Sequence, residues 1–183
     1  MMIPGLDALQ HRGQEGAGIA TVQQRAFNHE TLVFEKGEGK RAAALPDELL
    51  DQLAAYGPIS RMIGHLRYGT SGERSLDNVQ PFLVQATDAD CADMVIAHNG
   101  TAYPECGSED EAAGEMSDTQ KIAELFNKMG GFSEKNASAI LGDLQGAYNL
   151  LMLTKTALYA ARDPHALHPL HYAVTHDGKV MVA

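Results

Sequence analysis

The sequence predicts an α+β domain in which two antiparallel β-sheets stack face to face and helices cover the outside. Three observations lead there. Apolar, strand-forming segments cluster before residue 100 and again after residue 146, with two helical segments between them. The links between successive strand segments are short, which implies antiparallel pairing. Nothing in the 183 residues reads as an internal repeat or an interdomain linker, so one core has to bury both sheets.

Taken in order, Leu6, Leu9 and Gln10 close a short helix that Gly13 stops. Gly18 to Val22 reads as a strand, and Thr31 to Glu35 as its hairpin partner, because Thr, Val and Phe favour strands. Pro46 to Ala54 is a helix: Pro opens the first turn, Asp and Glu follow, and Leu49, Leu50 and Leu53 share a face. Arg61 to Tyr68 runs as a strand into the turn Gly69 to Gly72. Phe82 to Gln85 and Met94 to Ala97 are short strands. Glu105 to Glu115 is polar, acidic and rich in Gly and Ala, the pattern of a mobile surface loop. Ser117 caps a helix over Asp118 to Met129, with Gln120 completing a capping box. A second helix covers Asn136 to Leu144. Ala147 to Thr154, Ala157 to Ala161, Leu170 to Val174 and Lys179 to Val182 are strands joined by tight turns.

Composition narrows the function. The chain is 44% hydrophobic and 21% charged, ordinary for a globular domain. A formal charge of −10 argues against non-specific nucleic-acid binding, which rests on Lys and Arg neutralising phosphates. Cys91 and Cys106 do not make a disulfide framework, no apolar run approaches a membrane span, and no signal-peptide pattern opens the chain. A reducing cytoplasm is the expected setting.

Four segments carry residues suited to chemistry. In Gln10-His11-Arg12-Gly13-Gln14-Glu15-Gly16-Ala17-Gly18, three glycines in six residues mark a backbone that turns tightly or approaches something closely. In Gly64-His65-Leu66-Arg67-Tyr68-Gly69-Thr70-Ser71-Gly72, an arginine at a strand end meets a glycine-rich polar turn. Its guanidinium could take a ligand carboxylate in a bidentate contact or pair with one of the chain's 24 acidic residues. In Ala97-His98-Asn99-Gly100-Thr101, the Asn-Gly pair is most simply a turn. It also sets a side-chain amide beside an unhindered N–H, the two donors of an oxyanion hole. Asp118, in Ser117-Asp118-Thr119, is a carboxylate at a helix N-terminus, where the dipole favours it. His165, His168, His171 and His176 match no strong zinc spacing, so no metal is expected.

These runs resemble the class II glutamine amidotransferase domain, and within it the amidophosphoribosyltransferases of purine synthesis. The His11 to Gln14 run and Asn78-Val79-Gln80-Pro81-Phe82 both separate that group from the hexosamine-forming amidotransferases. Gly146-Ala147-Tyr148 fits as well, and also reads simply as core strand. The resemblance implies the N-terminal-nucleophile αββα sandwich. It implies that Arg67 binds the α-carboxylate of L-glutamine, with Tyr68 and Thr70 lining the pocket. Asp118 then takes the α-amino group, Asn99 and Gly100 form the oxyanion hole, and Arg12 sits beside the nucleophile. In the family that nucleophile is an N-terminal cysteine on a first strand ahead of this motif. The chain as written starts with Met1-Met2-Ile3-Pro4-Gly5, so the expectation is a single partial domain over 1–183 lacking that strand. The second, phosphoribosyltransferase domain is expected to be absent, and with it the magnesium it would use. No cofactor is expected in this part, and homo-oligomerisation stays open. The 183 residues as written are expected not to hydrolyse glutamine, Cys91 and Cys106 being internal. A catalytically dead glutamine- or glutamate-binding regulatory module is the alternative. Two departures from the family stand in Asp163 to Leu170: Ala166 replaces a usual Gly, and His168 a usual Arg. A positive φ at 166 would strain alanine by roughly 1 kcal/mol or more.

Overall fold

A computed structural model describes residues 2–24, 29–69, 75–104 and 116–183. The first sheet has the order β2-β1-β3, with β1 over Gly16–Gln24, β2 over Glu30–Glu38 and β3 over Ile59–Arg67. The second has the order β4-β5-β6-β7. Its strands are β4, Phe82–Val84; β5, Met94–Pro104; β6, Leu144–Thr154; and β7, Leu158–Arg162. Every pairing within both sheets is antiparallel, as the short connections require.

Strand alternation sorts the side chains into layers. Ala20, Val22 and Ile63 from the first sheet meet Val95, Ala97 and Leu153 from the second in the dry seam between them. The opposite face of β1, Ala17 and Ile19, packs with Ala44, Leu45 and Leu53. Those residues lie on or beside α2, Arg41–Ala44, and α3, Asp47–Ala55; Met2 and Ile3 of α1, Met2–Ala8, join them. On the far side of the second sheet, Ile96, Leu150 and Met152 pack on Ile122 and Phe126 of α4, Asp118–Lys128, and on Ile140 of α5, Glu134–Asp143. The result is helix, sheet, sheet, helix, as expected. Burial of each such aliphatic side chain contributes roughly 1.5–3 kcal/mol. Two buried polar groups fix the helices: Gln23 donates to the Leu53 carbonyl at 3.0 Å, and Arg41 pairs with Asp7 at 2.7 Å and Asp47 at 2.9 Å.

The capping box at α4 is present, with Ser117 and Gln120 bonded reciprocally. The structure adds to or corrects the sequence expectations at three places. The short helix α2 carries no periodic pattern in sequence and is held by Arg41. The strand expected at 94–97 continues to Pro104, so Asn99 and Gly100 lie inside β5 rather than in a turn. The last two strands, β8 over Tyr172–Val174 and β9 over Val180–Val182, form a separate ribbon among the described residues. The loop read at 105–115 and Cys106 within it lie outside the described residues, as does Thr70.

The glycines of the first motif are packing surfaces. A Cβ on Gly13 would stand 2.6 Å from the Leu66 carbonyl oxygen. One on Gly16 would overlap the Val79 side chain, and one on Gly18 would overlap the Gln80 carbonyl and stand 2.7 Å from Pro81 Cδ. The sheet therefore receives segment 79–81 only because β1 has no side chains there. Gly18→Ala is expected to lower the urea-denaturation stability by about 2–3 kcal/mol. Gly142→Ala, where a Cβ meets nothing within 4 Å, is expected to gain up to about 1 kcal/mol. Equal midpoints for the two variants would contradict this packing.

Candidate functional site

The site follows from a mismatch in strand length. β4 has three residues and β5 has eleven. Their ladder ends at Phe82 opposite Ile96, so from His98 onward β5 has no strand on that edge among the described residues. In an antiparallel strand, alternate residues send N–H and C=O to the same edge. The His98 N–H donates to Gln80 Oε1 at 2.6 Å. The His65 ring of the facing sheet lies against the His98 main chain, close enough for that carbonyl to favour its protonated form. The Ala102 N–H donates to Asp118 Oδ2 at 3.1 Å. Gly100 lies between these two occupied positions, and the pairing of β5 with β6 runs past it without a shift. The alternation therefore sets the Gly100 N–H on this same edge, with Asn99 exposed beside it.

Glycine is required at 100. Its φ is +128°, and a Cβ there would overlap the Ala147 carbonyl across the ladder. Gly146, two pairs away and opposite Ala102, has φ +114°. The family-like Gly-Ala-Tyr run thus supplies backbone for the bend in β5 as well as core.

Arg67 ends β3 and is 4% exposed. Its Nη1 donates to Glu15 Oε2 at 3.2 Å, and Glu15 N–H donates back to the Arg67 carbonyl at 3.1 Å. Of the two partners that the sequence left open, a carboxylate of the chain itself holds the arginine in this ligand-free structure. Arg67 shares a face with His65, so the contact from His65 to His98 places the end of β3 beside the open edge of β5. Segment 75–81 closes one side. Lys36 Nζ donates to the Val79 carbonyl at 2.9 Å, and Gln120 Nε2 donates to the Asp77 carbonyl at 3.0 Å.

Both histidines are held neutral. Burial pushes His65 down to about 4, the neighbouring His98 and Arg67 adding to it against its bond to the His98 carbonyl. Burial also brings His98 down to about 4, opposed by Asp118 and assisted by His168. His98 Nδ1 lies 3.2 Å from Thr119 Oγ1, while His98 Nε2 and His65 Nδ1 are buried without a hydrogen-bond partner.

The residues read from sequence divide accordingly. Asn99, Gly100 and Asp118 meet along one stretch of β5, with Arg67 next to it through the two histidines. Arg12 is exposed in a single 3-10 turn, Gln10–Arg12, and reaches the site only through Gly13 packed on Leu66 and Arg67. Tyr68 is 68% exposed. Gln80, His65, His98 and Thr119 were not assigned roles in the sequence reading, although all four stand inside its runs; what marks them is a contact, not a spacing. Ala166 has φ +55°, the strained value that its turn was expected to need. The turn is held by Asp163, whose carboxyl stays low because the N–H groups of Leu167 and His165 outweigh its burial. Cys91 precedes β5 and lies 3.5 Å from Asn136 Nδ2, at the other end of the strand from Gly100. Among the described residues no group of three or more His, Cys, Asp or Glu could hold a metal ion, and no helix is long and apolar enough to cross a membrane.

Comparison with known proteins shows the family to which this fold belongs. A family model described as "Glutamine amidotransferase domain" matches residues 71–183. The chain belongs to that family. It is 36% identical over 186 residues to an amidophosphoribosyltransferase of Staphylococcus epidermidis, covering 98% of this chain and 35% of that protein. A Bacillus subtilis amidophosphoribosyltransferase is 34% identical, with 98% and 37% covered. The solved B. subtilis glutamine phosphoribosylpyrophosphate amidotransferase, in complex with ADP and GMP, superposes with a TM-score of 0.72 at 30% identity. That superposition covers 97% of this chain and 37% of that one. The chain thus spans about a third of the length of the curated relatives it matches.

The electrostatics give a signed expectation. In the unfolded chain both rings take protons near pH 6.5; in the folded one only near 4. The contribution is complete above pH 6.5 and is lost as pH falls towards 4, on the order of 3 kcal/mol per ring. Urea midpoints should fall across that window, and the NMR signals of both rings should stay neutral to about pH 5. Rings that titrate near 6.5 would contradict the burial of the pair.

Proposed function

We propose that the open edge of β5 binds free L-glutamine and supports hydrolysis of its side-chain amide. The observation that carries this reading is the position of the Gly100 N–H, between main-chain donors already taken by Gln80 and Asp118. A glutamine amide carbonyl placed there accepts from Gly100 and from the Asn99 side chain. The attacking thiol is the family's N-terminal cysteine, on a strand ahead of the Gln10–Gly18 run, since the internal Cys91 and Cys106 do not replace it. As its thiolate attacks the amide carbon, the negative charge on that oxygen falls between those two donors; one such donor is typically worth ~10²–10³ in rate. The proton taken from the thiol passes to the amide nitrogen, ammonia leaves, and water releases glutamate from the thioester and restores the thiol. Asp118, anchored by one oxygen to Ala102, takes the α-ammonium, and Arg67 exchanges Glu15 for the α-carboxylate. Tyr68 and Arg12 flank the pocket, the resemblance adds Thr70 to its lining, and the chemistry needs neither metal nor cofactor. Opposite charges on one amino acid fit a free ligand better than a glutamine inside a peptide.

The larger reading follows the relatives. Residues 1–183 are the glutaminase part of an amidophosphoribosyltransferase acting in purine synthesis in the cytoplasm. A phosphoribosyltransferase partner domain, the part that uses magnesium, receives the ammonia and forms phosphoribosylamine. A binder without turnover needs no oxyanion donors, so the form of Gly100 favours the hydrolytic reading over the regulatory one.

Calorimetric titration of the 183-residue chain with L-glutamine tests the pocket without requiring turnover. Arg67→Ala and Asp118→Asn should each weaken binding by about tenfold or more, the worth of a lost charged hydrogen bond, and D-glutamine should bind poorly. Unchanged affinity in both variants would overturn the assignment.

A further inference from the structure

Past Ala97, β5 is treated by its surroundings as though a strand still lay beside it. The His98 N–H and C=O, which a longer β4 would have paired, are taken by two side chains from different places. Gln80 Oε1 receives the N–H at 2.6 Å, and the His65 ring from the facing sheet lies against the carbonyl. Gln80 is 9% exposed and its main chain is seated on Gly18, where no side chain would fit. Its carbonyl neighbour Val79 is held by Lys36. The peptide just before Asn99 is therefore clamped from both sheets, while Gly100 has no such clamp among the described contacts.

We infer that Gln80 and His65 are positioning residues for the amide-carbonyl site: they replace the missing strand at His98 and fix the direction of the Asn99 side chain and the Gly100 N–H. The reasoning is geometric. A strand edge with no partner on one side frays and changes its twist. Gly100, at φ +128°, has conformations open to it that other residues lack. A donor aimed at a ligand must be held within about half an ångström, which needs neighbours that are themselves locked. Here the neighbours are locked by Gly18, Lys36 and the seam between the sheets. A full β4 partner would have fixed β5 equally well but would have covered Gly100. Two side chains fix it and leave the next N–H for a ligand. This inference rests on the glutamine reading only for the identity of that ligand.

The test uses 15N-labelled 183-residue protein with Gln80→Leu, Gln80→Glu and His65→Gln. Without ligand, Gln80→Leu should shift or broaden the Asn99 and Gly100 amide signals, while signals in β1 and α5 stay in place. Gln80→Glu keeps an acceptor for His98 and should restore the original signals, a rescue that a space-filling role would not produce. His65→Gln should disturb the same two amides. On titration with L-glutamine, Gln80→Leu should bind about tenfold more weakly than the parent and Gln80→Glu within about threefold. Asn99 and Gly100 signals unmoved in Gln80→Leu, or disturbed equally in Gln80→Leu and Gln80→Glu, would overturn the inference. So would an unfolded Gln80→Leu accompanied by His65→Gln with parental Asn99 and Gly100 signals. A parent that ignores glutamine while the ligand-free pattern holds would overturn the glutamine reading and leave the positioning role standing.

Discussion

The arrangement depends on one unpaired edge. β4 accompanies β5 for three residues and stops, and the rest of β5 must satisfy its main chain by other means. Buried backbone groups without partners cost free energy comparable to a lost hydrogen bond. Side chains from three sources meet that demand at His98 and Ala102. The position between them is where a ligand oxygen would complete the set. Site and fold are thus one feature: Gly100 with its positive φ, Gly146 opposite Ala102 and the neutral histidines all serve the same stretch of strand.

The first sheet contributes rigidity and, at the end of β3, Arg67. Its glycine run lets segment 79–81 lie directly on β1, so that Gln80 reaches the second sheet from a fixed base. It also supplies His65, whose ring meets the His98 main chain across the seam that Ala20, Val22 and Ile63 keep dry. The imidazoles stay neutral because that seam excludes water, and neutrality lets them bond without bringing unpaired charge into the core.

Much of this was legible in the sequence where the signal is local. The helix beginning at Asp118 was marked by Ser117 and Gln120, and β1 and β2 by their β-branched residues. Where the decisive partner is remote, local signals misled. Asn99-Gly100 has the composition of a turn, yet Asn149 and Tyr148 across the ladder keep it in the strand. The glycines of 13–18 announced close approach without saying to what; Leu66, Val79 and Gln80 are the answer. Motifs single out Arg67, Asp118, Asn99 and Gly100 as candidates, while Gln80 and His65 need coordinates, since what marks them is contact with main-chain atoms. Ala166 is a case in which the strain was foreseen from the residue type and is present at φ +55°.

Amide hydrogen exchange along β5, read by NMR on the ligand-free protein, tests the open edge most directly. The N–H groups of His98 and Ala102 should be protected, and that of Gly100 between them should exchange far faster. Gly100 protected as strongly as its two neighbours would mean that the edge is closed and that no ligand carbonyl completes it.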